Sequence, residues 1–194
     1  MTRRYSTVVI GASTGGPSVI RTILGALPAN HPFPVFLVQH ISSSFSTGFV
    51  EWLCQTTQRN IIHAVDGVVY QPGTIYVAPG GHHLTIRGSR LHLEDEKPRN
   101  HHRPSVDILF ESAASQFGPT VLGIILTGMG TDGAVGARKI IDRGGYTLVQ
   151  DEASSAVFGM PAAAIASGGA GEVLPPEGIA HRLLELTGVA AVSR

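Results

Sequence analysis

Short apolar stretches rich in valine and isoleucine alternate in this chain with longer stretches whose apolar residues recur every three or four positions. This alternation is typical of parallel strands that are buried on both faces and connected by helices. The predicted strands are residues 7–10, 35–38, 61–65, 121–126 and 147–150. The predicted helices are residues 16–27, 47–56, 106–117, 133–143, 160–167 and 179–186. The pattern therefore predicts an α/β fold with three layers and a mainly parallel, doubly wound sheet.

The middle of the chain has a different pattern. Residues 74–78, 84–87 and 90–94 are short alternating runs separated by turns that contain glycine, which predicts a small antiparallel addition to the sheet. The polar, histidine-bearing residues 95–104 follow and are predicted to form a mobile loop.

Length and charge limit the classes of protein to consider. The 194 residues fit one domain, so residues 1–194 are interpreted as a single unit. Lysine plus arginine and aspartate plus glutamate each number 14, so the chain lacks the basic excess that nucleic acids select for. We therefore expect no nucleic-acid partner.

The single cysteine and the lengths of the apolar runs bear on the compartment. Cys54 has no second cysteine with which to form an intramolecular disulfide, and residues 1–6 precede no apolar stretch of signal-peptide length. The longest apolar runs are strand-sized, well below the roughly 18 residues that a membrane span needs. These features predict a cytoplasmic protein without direct membrane insertion.

A glycine-rich segment, residues 11–16 (GASTGG), lies between the first predicted strand and the first predicted helix. A dinucleotide-binding loop would have a glycine in place of Ser13 and an acidic residue about 20 positions later, where the chain instead has Gln39 and His40. The Gly-x-Ser-x-Gly spacing fits a sharp turn that presents a nucleophilic serine. Ser13 alone also fits an ordinary helix N-cap. All three interpretations are open at this point.

Two other residues occupy comparable positions. His40 follows the second predicted strand, and Asp132 lies just beyond the strand at residues 121–126. Because the carboxyl ends of parallel strands share one edge, we expect Ser13, His40 and Asp132 to converge there as the residue set of nucleophilic acyl transfer. Their order along the chain differs from that in α/β-hydrolases. Taken singly, His40 also fits a structural histidine and Asp132 a helix N-cap.

Six segments, in order and over essentially the whole chain, resemble the bacterial chemotaxis protein-glutamate methylesterases of the CheB type. They are residues 11–16 (GASTGG), 39–40 (QH), 76–80 (YVAPG), 103–107 (RPSVD), 126–134 (LTGMGTDGA) and 158–161 (FGMP). The resemblance implies that Ser13, His40 and Asp132 are the catalytic triad. It also implies that Thr14 and Met129 line the site, and their backbone N–H groups are candidates for an oxyanion hole.

The resemblance implies hydrolysis of glutamyl methyl esters on the cytoplasmic helices of methyl-accepting chemoreceptors, with release of methanol, and deamidation of specific glutamines. It implies no cofactor. Members of this family usually carry an N-terminal receiver domain, whereas this chain begins a few residues before the first predicted strand. We therefore expect a catalytic domain without a receiver domain, either excised or stand-alone. A small-molecule esterase with the same triad and a non-catalytic module that binds a nucleotide or a partner are the alternatives.

Two histidine pairs, residues 82–83 and 101–102, raise the question of a metal. Neither pair has a carboxylate or cysteine partner at ligand spacing, so both are interpreted as loop residues and no metal site is predicted.

Overall fold

The computed structural model describes residues 5–190, which form one α/β domain. Its strands are β1 Thr7–Ala12, β2 Val35–Gln39, β3 Ile61–His63, β4 Ile75–Val77, β5 His83–Arg87, β6 Arg90–Glu94, β7 Val121–Ile125, β8 Tyr146–Gln150 and β9 Glu172–Leu174. Its α-helices are α1 Gly16–Ala26, α2 Ser43–Thr57, α3 Val106–Phe117, α4 Ala134–Asp142, α5 Gly159–Ala166 and α6 Pro176–Thr187.

Seven strands form a parallel sheet in the order β3-β4-β2-β1-β7-β8-β9, and β5 and β6 form a separate antiparallel pair. Strands β2, β4 and β3 lie on one side of β1. The chain then crosses to the other side of β1, where β7, β8 and β9 follow in order to the opposite edge. Such a reversal of strand order leaves a crevice outside the carboxyl ends of the adjoining strands. The predicted three-layer, doubly wound α/β fold is confirmed.

Alternate residues of the central strand face two different cores, as the period of a strand requires. Val8 and Ile10 pack with α1, α2 and α6, and Val9 packs with α3, α4 and α5. All three side chains are fully buried. Burial on both faces is why β1 has an uninterrupted apolar sequence, and it makes this strand a rigid support for the residues that follow it.

One prediction about the strands is wrong, and one strand was not predicted. Ile75–Val77 is a parallel strand of the main sheet, between β2 and β3, and not part of the antiparallel addition. Flanking glycine turns resemble those of a hairpin, but β4 has a parallel neighbour on each side and all three of its residues are buried. Glu172–Leu174 was missed because this short edge strand is only partly buried and lacks an apolar run. The antiparallel pairing of β5 with β6 is as predicted.

Helix α2 begins at Ser43, four residues before the predicted start at position 47. Its first turn contains serines and an exposed phenylalanine, Phe45, so the apolar spacing that marks the buried face becomes visible only from Phe49 onward. Within residues 5–190, no helix is long and apolar enough to cross a lipid bilayer.

His31 is expected to make stability depend on pH. Its side chain is 1% exposed, its Nδ1 lies 2.6 Å from the carbonyl oxygen of Phe33, and its Nε2 has no partner within the described chain. Burial lowers the pKa of His31, and Arg59 lowers it further, against the opposing effect of the hydrogen bond to Phe33. Below the pH at which an unfolded histidine protonates, ~6.5, the unfolded chain therefore binds more protons than the folded one.

The stabilisation linked to neutral His31 is thus present above pH ~6.5 and is lost as pH falls toward the lowered folded pKa. Urea unfolding of the wild type and of His31→Leu at several pH values between 5 and 8 measures this. We expect the wild type to lose more stability than the variant as pH falls, and parallel losses in both proteins would contradict the assignment.

Candidate active site

The segments that follow β1, β2 and β7 meet at one edge of the sheet, because β1 pairs directly with both other strands. Ala12 is opposite Gln39 in the register of β1 and β2, so Ser13 and His40 are the next residues of two neighbouring strands. The backbone N–H of His40 donates to the carbonyl of Ala12 at 2.9 Å, and that of Ser13 donates to the carbonyl of Thr127 at 3.0 Å. The predicted convergence at this edge therefore has a backbone basis.

Ser13 lies in the turn between β1 and α1 and is 9% exposed. The N-cap of α1 is Gly15, without a side-chain capping bond, so the interpretation of Ser13 as an N-cap is wrong. A Cβ on Gly128 would lie 2.6 Å from the Cβ of Ser13. Glycine at position 128 is what allows the backbone after β7 to approach Ser13 this closely.

The imidazole of His40 is hydrogen-bonded to Asp132, with 2.8 Å between Nε2 and Oδ2. The side chains are 7% and 0% exposed, respectively. Asp132 also accepts hydrogen bonds from Ser105 Oγ at 2.7 Å, Val106 N at 2.7 Å and Asp107 N at 3.0 Å. Four donors therefore occupy the lone-pair positions of its two oxygens.

These donors keep Asp132 ionised. Burial acts to raise the pKa of Asp132, but the hydrogen bonds from His40, Asp107, Val106 and Ser105 outweigh it and lower that pKa to about 2. The interpretation of Asp132 as the N-cap of the helix that follows it is wrong, because its carboxylate bonds the first turn of α3, and the cap position of α4 belongs to Gly133.

The contact with Asp132 determines the tautomer of His40. A carboxylate is only an acceptor, so Nε2 carries the hydrogen, and Nδ1 keeps its lone pair in the neutral ring. Nδ1 is buried and has no partner within residues 5–190. It is the ring atom available to take a proton.

The Ser13 hydroxyl makes no hydrogen bond to His40 within the part of the chain that is described. Neighbouring strands lie about 4.8 Å apart, and a serine hydroxyl changes direction by moving between staggered rotamers. Bonds between nucleophile and base are often formed only in the substrate complex. The structure thus brings His40 and Asp132 into direct contact and places Ser13 beside them.

His102 stacks on the ring of His40, a contact that sequence reasoning did not predict. Its ring lies parallel to that of His40, with 3.7 Å between centroids and 7° between planes. Burial lowers the pKa of His102, and repulsion from His40 when that ring is protonated lowers it further, against the opposing effect of the Asp132 carboxylate. The histidine pair at 101–102 was interpreted as loop residues without a role, although it directly precedes the RPSVD segment.

An open cleft of about 320 Å³ borders His40 and is lined by residues 40–42 and 101–104. Four of these seven residues belong to the loop for which the sequence predicts mobility, and side-chain hydrogen bonds attach this loop to α3. Arg99 forms two hydrogen bonds with Glu111, at 2.7 and 2.9 Å, and Asn100 donates to Asp107 at 3.0 Å.

Thr14 and Met129 lie at the surface beside Ser13, and Met129 is 71% exposed. Within residues 5–190, the backbone N–H groups of these two residues have no protein acceptor. The Thr127 hydroxyl donates to the carbonyl of Thr14 at 2.9 Å and so fixes this turn to the segment after β7. Free backbone donors in the segments that follow β1 and β7 remain candidates for stabilising an oxyanion at Ser13.

Among the described residues, no three histidine, cysteine, aspartate or glutamate side chains are grouped so that they could hold a metal ion.

A doubly wound α/β domain with a serine, a histidine and an aspartate at the carboxyl ends of adjacent strands has the layout of a serine hydrolase. The chain belongs to the CheB methylesterase family, whose model matches residues 8–183. The resemblance found in the sequence is thereby confirmed.

Similar proteins agree with this membership. The chain is 44% identical over 182 residues to the protein-glutamate methylesterase FrzG of Myxococcus xanthus, covering 93% of this chain and 54% of that protein. It is 46% identical over 184 residues to protein-glutamate methylesterase/protein-glutamine glutaminase 2 of Anaeromyxobacter dehalogenans, covering 95% of this chain and 54% of that protein. The chain therefore spans about half the length of these curated relatives.

The crystal structure of the Thermotoga maritima CheB methylesterase catalytic domain matches with a TM-score of 0.91 and 37% identity, covering 93% of this chain and 98% of that chain. The similarity is thus to the catalytic domain.

Proposed function

We propose that this chain is a cytoplasmic serine hydrolase that removes methyl groups from glutamyl methyl esters on chemoreceptor helices, releasing methanol, and deamidates selected glutamines. The observation that carries the proposal is the His40–Asp132 pair, which leaves Nδ1 of His40 without a partner in the described chain, at the end of the strand next to the one that ends before Ser13. Membership of the CheB methylesterase family supports the choice of substrate.

In the proposed reaction, Ser13 Oγ attacks the ester carbonyl carbon while its proton passes to Nδ1 of His40. Asp132 stabilises the imidazolium that forms. The N–H groups of Thr14 and Met129 donate to the carbonyl oxygen as it becomes negative. When the carbon–oxygen bond to the methoxy group breaks, the proton on Nδ1 moves to that oxygen and methanol leaves.

Water then attacks the acyl-serine, and its proton passes to Nδ1. Collapse of this second intermediate returns the proton to Ser13 Oγ and frees the glutamate side chain. With a glutamine substrate the same steps apply, and the leaving group is ammonia. No step requires a metal or an organic cofactor.

The exposure of the site favours a protein substrate. Ser13 itself is 9% exposed, but Thr14 beside it is exposed and Met129 is 71% exposed, so we expect the substrate side chain to reach Ser13 from the protein surface. A side chain that projects from a receptor helix can enter a site of this shape.

Methanol release from methylated receptor fragments, compared with hydrolysis of generic short-chain esters, tests the proposal. We expect rapid release from the receptor fragments, unchanged by EDTA, and labelling of Ser13 by an active-site phosphonate. Efficient hydrolysis of short-chain esters without any activity on receptor fragments would instead indicate a small-molecule esterase. Saturable nucleotide binding without labelling of Ser13 would indicate a non-catalytic module.

A further inference from the structure

Helices α3 and α4 begin side by side, and the aspartate at the start of each one bonds the first turn of the other. Asp132, two residues before α4, accepts the N–H groups of Val106 and Asp107. Asp107, in the first turn of α3, accepts the N–H groups of Gly133 at 2.9 Å and Gly136 at 2.8 Å. Each carboxylate thus satisfies donors that a helix N-terminus otherwise leaves unpaired.

This exchange requires the two helices to approach closely. A Cβ on Gly136 would lie 2.5 Å from the Cβ of Phe110 and 3.1 Å from the carbonyl oxygen of Asp107. Gly133 has a φ of 97°, a conformation that favours glycine. The backbone after Asp132 is therefore shaped to present its N–H groups to Asp107.

The second oxygen of Asp107 holds the loop on the other side of the site. Its Oδ2 accepts from the side-chain amide of Asn100 at 3.0 Å. Asn100 has a φ of 52° and lies two residues before His102, the residue that stacks on His40. One fully buried carboxylate thus contacts both the segment that carries Asp132 and the loop that carries His102.

We propose that Asp107 is a positioning residue for the reaction. It fixes the peptide that follows Asp132 and the loop that carries His102, and the side chains of Asp132 and His102 in turn hold the His40 ring in place. This inference rests on the proposed function. Asp107 bonds neither Ser13 nor His40, so it acts only through the groups it holds. Burial, the largest influence, raises the pKa of Asp107, and the charge of Asp132 raises it further, whereas the hydrogen bond from Gly136 lowers it.

Three variants separate the contacts of Asp107 with Gly133 and Gly136 from its contact with the loop at Asn100. Asp107→Ala removes both. Asn100→Gly removes only the loop contact and keeps the left-handed backbone available. Asp107→Asn keeps an amide oxygen for Gly133 and Gly136, so it serves as the conservative replacement. Ile179→Val, in α6 on the opposite face of the sheet, is the control for a general loss of stability.

Two readouts distinguish positioning from a merely structural role. The first is steady-state methanol release: we expect Asp107→Ala to lower kcat on the order of a hundredfold with little change in KM, since small displacements of catalytic groups have effects of this size. The second is the low-field NMR signal of the His40 Nε2 proton bonded to Asp132, which we expect to weaken or shift. Asn100→Gly should show smaller changes in both, Asp107→Asn should recover part of the loss, and Ile179→Val should resemble the wild type.

Wild-type kcat and an unchanged His40 signal in a less stable Asp107→Ala protein would overturn the proposal. If Asp107→Ala does not fold, Asn100→Gly decides the question by the same two readouts, and wild-type values there overturn it equally. The NMR signal does not depend on turnover, so this outcome is distinguishable from a failure of the proposed function, which would appear as absent methanol release in the wild type.

Discussion

Replacing Ser13 with alanine is expected to reduce methanol release from methylated receptor fragments by a factor on the order of 10³ or more, because the nucleophile is lost while the rest of the site is kept. The stability of the fold should hardly change. The Cβ that contacts Gly128 is retained, and the hydroxyl makes no hydrogen bond within the described chain, so we expect a change within about 0.5 kcal/mol.

Ser18→Ala is the matched control for this substitution. It removes a hydroxyl from the first turns of α1, where it bonds the carbonyl of Gly15 at 3.2 Å, and leaves the nucleophile in place. Rates and thermal unfolding of both variants should be measured together. Near wild-type turnover in Ser13→Ala would require a different nucleophile or a mechanism without an acyl-enzyme.

Asp132→Asn is expected to lower both activity and stability. An amide has one accepting oxygen, so its NH₂ group must face either Val106 N–H or Asp107 N–H, and that backbone donor is left without an acceptor. The loss of one buried hydrogen bond of this kind costs about 1–3 kcal/mol. If Asp132 were instead the N-cap of α4, no such loss of stability would be expected, since asparagine caps a helix about as well as aspartate.

The activity of Asp132→Asn should fall by a factor on the order of 10 to 10³. The equivalent change in a serine protease costs about 10⁴ in turnover, but a methyl ester has a better leaving group than an amide, so we expect a smaller loss here. Turnover of Asp132→Asn at wild-type rates would remove Asp132 from the mechanism and leave a Ser13–His40 dyad. Asp142→Asn, the same change at the exposed end of α4, is the control and should alter turnover little.

Acid unfolding gives a second measurement on the same variant. The pKa of Asp132 is lowered from 3.8 to about 2, which corresponds to roughly 2 kcal/mol of stabilisation. This stabilisation is present above pH ~3.8 and is lost as pH falls toward 2. The wild type should therefore lose more stability than Asp132→Asn over that range, and equal losses would indicate that Asp132 is not held as described.

The alternation of apolar runs was sufficient to predict the layers and most of the elements. Helix α3 has the predicted bounds, residues 106–117, because its buried face shows helical spacing along its whole length. The prediction that Ser13, His40 and Asp132 converge depended only on their positions after three strands of one parallel sheet, and neighbouring strands do bring these segments together. Local periodicity and strand direction are properties of the sequence itself.

Tertiary structure decided what these periodicities leave open. Which strand lies between which others depends on pairing between distant segments, so β4 was assigned to the wrong sheet. The surroundings of His40 also depend on contacts between segments that are distant in the sequence. The sequence determined that a serine, a histidine and an aspartate lie at one edge of an α/β sheet. Only the packing of α3 against α4 determined that Asp132 bonds the start of α3, that Asp107 bonds the start of α4 and that His102 stacks on His40, because these contacts join residues far apart in the chain.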